Sequence, residues 1–337
     1  MNAAAGRQIG LEEAVEAFRA MPPAWQLASL HPRMVEVDAL RDPLLRPTNW
    51  CYRDGERCFL HCFELGSNPG LAVNDVQSAY GYGGPLSNSD DATFLSAAQD
   101  AFQFWAQEHS IVAEFLRFHP LIPHSRWYSG NVASNRETVH MDLSRPLFVQ
   151  YQTRRRTDVR RFSESGVSIR KVSPDTMNSI FPELYRTNME RIGAAQDYYF
   201  PLNYFEALLR FEEAEGWLAW QGDTAIAGAI FLVSASARVV EYHLGAQLQG
   251  FERQRAMVGL LHLAAEHYQS EAFQYLYLGG GRSVAPDDSL LFFKRGFSSL
   301  AGHFQTASKI LDPEHYAHLT SRLPEKAATG RVLFYKD

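Results

Sequence analysis

The chain has 337 residues, with 32 Lys and Arg against 38 Asp and Glu, a net charge of −6. That balance argues against a strongly basic nucleic-acid binder, although it leaves room for a local basic stripe. Apolar residues make up 46% and aromatics 13%, which suffices for large cores and excludes global disorder.

At roughly 150 residues per domain, the length predicts about two domains. No stretch of roughly 18 residues, the length of a membrane span, is free of charge. The segment Met1–Gly10 lacks a basic region followed by an apolar run, so no secretory signal is expected. A soluble, cytoplasmic globule follows as the expectation.

Residues 1–35 read as a helical lead-in, with Leu11, Ala14, Val15 and Phe18 at helical spacing. Trp50–Leu65 reads as a hairpin turning at Arg53-Asp54-Gly55-Glu56. Cys51, Cys58 and Cys62 fall within it; their odd count and spacing fit no zinc pattern. Strand alternation of Cys58 and Cys62 makes them small apolar core groups. Next comes a glycine-rich loop, Tyr80-Gly81-Tyr82-Gly83-Gly84-Pro85. Asp90 and Asp91 are placed to cap a helix reaching about Glu108, and Ile111–Phe118 is a buried strand.

Near Gln150 the composition changes. Arg154, Arg155, Arg156, Arg160 and Arg161 share a helical stretch in which only Asp158 opposes them. A second α/β pattern follows. Its strand 167–172 and helices 175–191 and 202–213 lead to strands at 217–220, 225–232 and 238–244. Helix 255–268, strand 273–278, helix 289–295 and strand 304–310 complete it. The expected division is 1–150 and 151–337. His262 and His267 would project about 140° apart on one helix, so no metal site is expected.

Strand, two helices, three strands, helix, strand, helix, strand is the order of the GNAT acyltransferase fold, which residues 167–310 resemble. The segment Tyr277-Leu278-Gly279-Gly280-Gly281, followed by Phe293-Lys294-Arg295-Gly296-Phe297, is similar to the FemAB-type branch. So are the Tyr80–Pro85 loop and an arginine-rich helix leading into the second half. The resemblance implies an α/β (α+β) fold of two tandem GNAT-like domains, each a mixed sheet flanked by helices. It also implies acyl or aminoacyl transfer onto an amino group of a peptide, sugar or small metabolite.

On that resemblance, aminoacyl-tRNA or acyl-CoA is the co-substrate, and no tightly bound cofactor is implied. The five arginines are the candidate tRNA contact. A donor would lie between strands 239–244 and 273–278, where backbone N–H groups polarise its carbonyl. Gln247, Gly250, Arg253, Arg255, Gly279 and Gly280 are the donor-binding candidates. CoA-using relatives carry Q/R-x-x-G-x-G/A at this point. Here Gln247-Leu248-Gln249-Gly250-Phe251-Glu252 puts a carboxylate where a pyrophosphate would sit.

Lys294, matched to the F-K-x-G-F motif, is the leading catalytic candidate, as an oxyanion stabiliser. The attacking amine must also lose a proton. Glu241 and His243 are the leading acceptors, with Asp75, Asp287 and Asp288 behind them. Asp75, Tyr80, Tyr82, Gly84, Arg191, Tyr198 and Phe293 are the substrate-binding candidates. The alternative is a catalytically inactive GNAT-like module that binds a cell-envelope or nucleotide-sugar precursor.

Overall fold

The computed structural model of the chain describes residues 5–336 apart from Val284 and Pro286. The chain opens with β1 (Ala5–Ile9), α1 (Leu11–Arg19) and α2 (Pro32–Ala39), then β2 (Leu45–Asp54), β3 (Arg57–Asn68), β4 (Val73–Gln77) and β5 (Leu86–Ser87). Next come α3 (Ala92–Glu108), β6 (Ile111–Phe118), β7 (Asn131–Asp142), α4 (Leu147–Gln150) and α5 (Thr153–Ser163). The second pattern holds β8 (Ser168–Val172), α6 (Pro174–Ile192), α7 (Leu202–Arg210), β9 (Ala214–Gln221), β10 (Thr224–Ser234) and β11 (Val239–Gln247). It continues with α8 (Ala256–Ser270), β12 (Tyr275–Gly280) and α9 (Ser289–Arg295). Last are β13 (Ala301–Ile310), α10 (Pro313–Arg322) and α11 (Pro324–Ala327).

Two compact units result, Met1–Asn135 with Phe304–Asp337, and Arg136–His303. This corrects the boundary expected at 150/151. The cause is strand pairing. From Thr138 onward β7 pairs with β12, so it belongs to the second unit. Residues 305–310 of β13 pair with β6, which returns the chain to the first unit. There Phe334 and Tyr335 are buried with Val73, Val112 and Leu319, so the last residues close the first core.

The first unit orders its strands β1-β2-β3-β4-β6-β13. Among the described residues its one parallel pair is β4 with β6, joined through α3. The side chain of Asp91 accepts from Phe94 N at 2.7 Å and starts that helix. On α3, Phe102 packs edge-on against Trp50 and Phe63 of the β2–β3 hairpin, with ring centroids 5.2 and 5.8 Å apart.

The second unit orders its strands β7-β12-β11-β10-β9-β8. Here too a parallel pair, β11 with β12, is joined through a helix, α8. Ala229, Phe231, Val240, Leu276 and Leu278 of the sheet share a core with Val258, Leu261, Ala264 and Tyr268 of α8. Strand, helix, parallel strand thus recurs in both units. Among the described residues, no helix is long and apolar enough to cross a membrane.

Candidate active site in the second unit

β11 and β12 pair over only three rungs, Val239–Tyr275, Val240–Leu276 and Glu241–Tyr277. Both strands run on, β11 to Gln247 and β12 to Gly280, without further pairing to each other. The sheet therefore opens into a wedge, and strand N–H and C=O groups face it unladdered. A bulge lies at the mouth. Ile230 pairs with Leu244 and Phe231 with Tyr242, so His243 is the extra residue. Glu241 sits on the last closed rung and is buried. His243 is half-buried, and its Nε2 lies 3.1 Å from the hydroxyl of Tyr204 on α7.

Lys294 comes to the β12 side of this wedge from α9. Its Nζ donates to Gly280 O at 2.7 Å and lies 5.8 Å from the centre of the Tyr242 ring. Gly279 has φ +77°, and a Cβ there would stand 3.3 Å from Nζ, so this glycine also gives the ammonium room. The lysine is only 6% exposed. Burial pushes its pKa down to about 7, against the opposing pull of the Asp288 carboxylate. Asp288 itself is held by structure. It accepts from Leu290 N and Leu291 N at the start of α9, and from Arg282 N and Ser283 N of the preceding loop. It therefore caps and folds the loop that delivers Lys294.

The donor-loop candidates lie between β11 and α8. Gln247 Nε2 donates to Phe251 O at 3.2 Å, and Gly250, at φ +90°, donates its N–H to Glu252 Oε1 at 3.1 Å. Backbone donors at its own N–H and at Gly250 hold the Glu252 carboxyl below its ordinary range, and the charge of Arg191 adds to this. Arg191, at the end of α6, thus faces the donor loop; its guanidinium also donates to Asn188. Tyr198 and Arg253 are exposed. Arg255 stands at the N-terminus of α8 and ion-pairs with Asp158 of α5 at 3.1 Å.

Other candidates are placed differently. Phe293 packs against the core, and the Arg155 guanidinium covers its ring at 4.5 Å. Arg155 is buried rather than part of a solvated arginine face. It pairs with Asp158 at 3.2 Å, donates to Phe293 O at 2.7 Å and stacks on Phe297 at 4.4 Å. Arg154, Arg156, Arg160 and Arg161 remain exposed.

Asp75, Tyr80, Tyr82 and Gly84 belong to the first unit. Asp75 is buried and ion-paired with Lys336 at 3.0 Å. Tyr80 donates its backbone N–H to Asp38, which with Glu64 ion-pairs to the one guanidinium of Arg41. The Tyr82 ring stands edge-on to His119 at 4.6 Å. Gly84 has φ +104°, and a Cβ there would lie 2.5 Å from the Phe118 ring. With Ser78 N and Gly83 N bonded to Phe115 O and Arg117 O, the loop closes over β6 just past the β4 pairing.

Sequence reasoning passed over Tyr242 and Tyr204. Tyr242 stands between Glu241 and His243 in the same strand, and its ring lies against the bare Cα of Gly245. An aromatic three residues before a glycine was the available sign. Nothing in the local sequence marks Tyr204 as the partner of His243, because that contact joins a helix to a strand 39 residues on.

Among solved structures, FemX aligns with a TM-score of 0.71 at 13% identity, over 93% of this chain and 99% of that one. The chain has the FemX fold. The same FemX-like fold appears in the C-terminal domain of a putative lysylphosphatidylglycerol synthetase from Agrobacterium fabrum, at TM-score 0.60 and 13% identity. That alignment covers 93% of this chain and 97% of that one. A tandem GNAT protein from the clavulanic acid biosynthesis pathway aligns at TM-score 0.50 and 12% identity, over 90% and 98%. The fold is therefore α/β with tandem GNAT-like domains, as the sequence implied. No protein-family model and no curated protein matches the sequence. Among the described residues, no group of three or more His, Cys, Asp or Glu side chains is placed to hold a metal ion.

Proposed function

We propose that the second unit transfers an activated acyl or aminoacyl group onto the amino group of a peptide, sugar or small-metabolite acceptor. The observation that carries this reading is Lys294, a buried cation at the end of the strand that opens the sheet. In the proposed step the amine nitrogen attacks the ester carbonyl carbon in the wedge. Charge develops on the carbonyl oxygen, and the Lys294 ammonium, already fixed on Gly280 O, donates to it. Collapse breaks the bond to the leaving oxygen, which takes up a proton. His243, on the open part of β11, accepts the proton that the amine sheds. Such a donor aimed at developing charge in a dry site is worth on the order of 3 kcal/mol.

The donor in this reading is an aminoacyl ester of tRNA rather than acyl-CoA. Glu252 occupies the Gly250 N–H that a pyrophosphate would need, and brings a like charge. The clavulanic-pathway tandem GNAT structure is described without acetyl-CoA, and acetyl-CoA is therefore the rival donor in the test.

The test offers the purified chain labelled aminoacyl-tRNAs or acetyl-CoA, with a panel of amines. Transfer from the ester is expected, and calorimetry with millimolar acetyl-CoA should show no binding. Lys294→Ala should lower kcat by about 10²–10³-fold with unchanged melting temperature or better. Unaltered kcat in that variant would remove Lys294 from the mechanism.

A further inference from the structure

The three thiols take no part in that reaction, and they are not equivalent. Cys51 on β2 and Cys58 on β3 face each other diagonally across the hairpin, since Cys51 pairs with Leu60 and Arg53 with Cys58. Their Sγ atoms are 3.5 Å apart, which is sulfur–sulfur contact. A disulfide needs about 2.05 Å, so the two Sγ atoms must approach by roughly 1.5 Å, with an adjustment of the hairpin at this diagonal pair. Cys62 stands further along β3 beside Asn49, and all three cysteines are buried.

We propose that Cys51 and Cys58 form a reversible dithiol–disulfide site that reacts with a peroxide-class oxidant, while Cys62 stays a thiol. The Cys58 contact and the nearby Arg53 guanidinium favour the Cys51 thiolate, whereas burial and the Cys51 contact push Cys58 up. Cys51 is accordingly the attacking sulfur and Cys58 the resolving one. In the first step the Cys51 thiolate attacks the peroxide O–O bond; it becomes a sulfenic acid and one water leaves. In the second step the Cys58 sulfur displaces hydroxide from Cys51, which takes the Cys58 proton and leaves as the second water. Two thiols and one hydrogen peroxide thus give one disulfide and two waters.

The site has a neighbour that would feel the cross-link. Cys58 N donates to Asn88 Oδ1 at 2.8 Å and Cys58 O accepts from Asn88 N. Cys58 thereby pins the chain just after the Tyr80–Pro85 loop.

The full-length protein is treated with about one equivalent to a few equivalents of hydrogen peroxide, quenched, alkylated and weighed by mass spectrometry, with proteolytic mapping. Two of the three thiols should disappear, in a Cys51–Cys58 linked peptide, and dithiothreitol should restore all three. The Cys62→Ser variant should show the same two-thiol loss, and Cys58→Ser should form no intramolecular disulfide. Three thiols retained in the folded protein, or a link that includes Cys62, would overturn the proposal.

Discussion

A lysine buried to 6% exposure is an unusual use of a long cationic side chain, and its protonation state is open to direct measurement. Burial brings Lys294 down to about 7 from the ordinary value of a lysine. An oxyanion stabiliser must carry its proton, so kcat should fall as pH rises through about 7 in the ester-transfer assay. A lysine acting as base would give the opposite slope, which would sink the proposed role. Stability moves the other way. Between about 7 and the unfolded value near 10.4 the unfolded chain binds more protons at this residue. The lysine's share of stability is therefore smallest below about 7 and rises with pH across that window. Activity and stability should diverge in Lys294 alone, and Lys294→Met should abolish both slopes in a pH series of kcat and melting temperature.

At the scale of elements, α5 meets α9 through Arg155, beside which Arg154 lies over the Phe292 ring at 5.3 Å. Arg155 meets Asp158, Phe293 O and two aromatic faces while almost out of solvent. Removing it leaves Asp158 with Arg255 alone and the Phe293 carbonyl with one donor fewer. The expected cost of Arg155→Ala is about 3 kcal/mol, read as a lower urea midpoint. Arg155→Lys should recover little, because an ammonium cannot stack flat on Phe293 while reaching both oxygens. Full recovery by lysine would show that charge alone matters there. The same residue marks a limit of reading sequence. Five arginines in one helix look like a solvated stripe, and only the packing of α9 shows that one faces inward. Asp91, Asp288 and the Asp54-Gly55 turn were legible because caps and turns are decided locally. The strand β7 was not, since residues 131–142 lack apolar alternation and owe their pairing to β12.

For the whole molecule, two folded units arise from a chain that looked divisible at its composition change. The true division follows strand exchange near 136 and 304 instead, which no local pattern announces. The repeated strand–helix–parallel strand crossover explains why the tandem architecture was still readable. Periodicity fixes the order of elements, whereas the register that opens the sheet after Glu241 is a non-local property. Charge sets the last expectation. A net of −6 repels a polyanion overall, so an RNA-linked donor would depend on local cations. Arg154, Arg156, Arg160 and Arg161 are the exposed members of the α5 cluster. Replacing Arg154, Arg160 and Arg161 by Glu should raise KM for an aminoacyl-tRNA and weaken its salt dependence, since fewer phosphate counterions are released. The KM for a minimal aminoacyl ester lacking the tRNA body should stay unchanged, because that substrate needs only the wedge and Lys294. Equal losses with both donors would place the arginines in the folding of α5 rather than on RNA, and a melting curve of the triple variant separates that outcome.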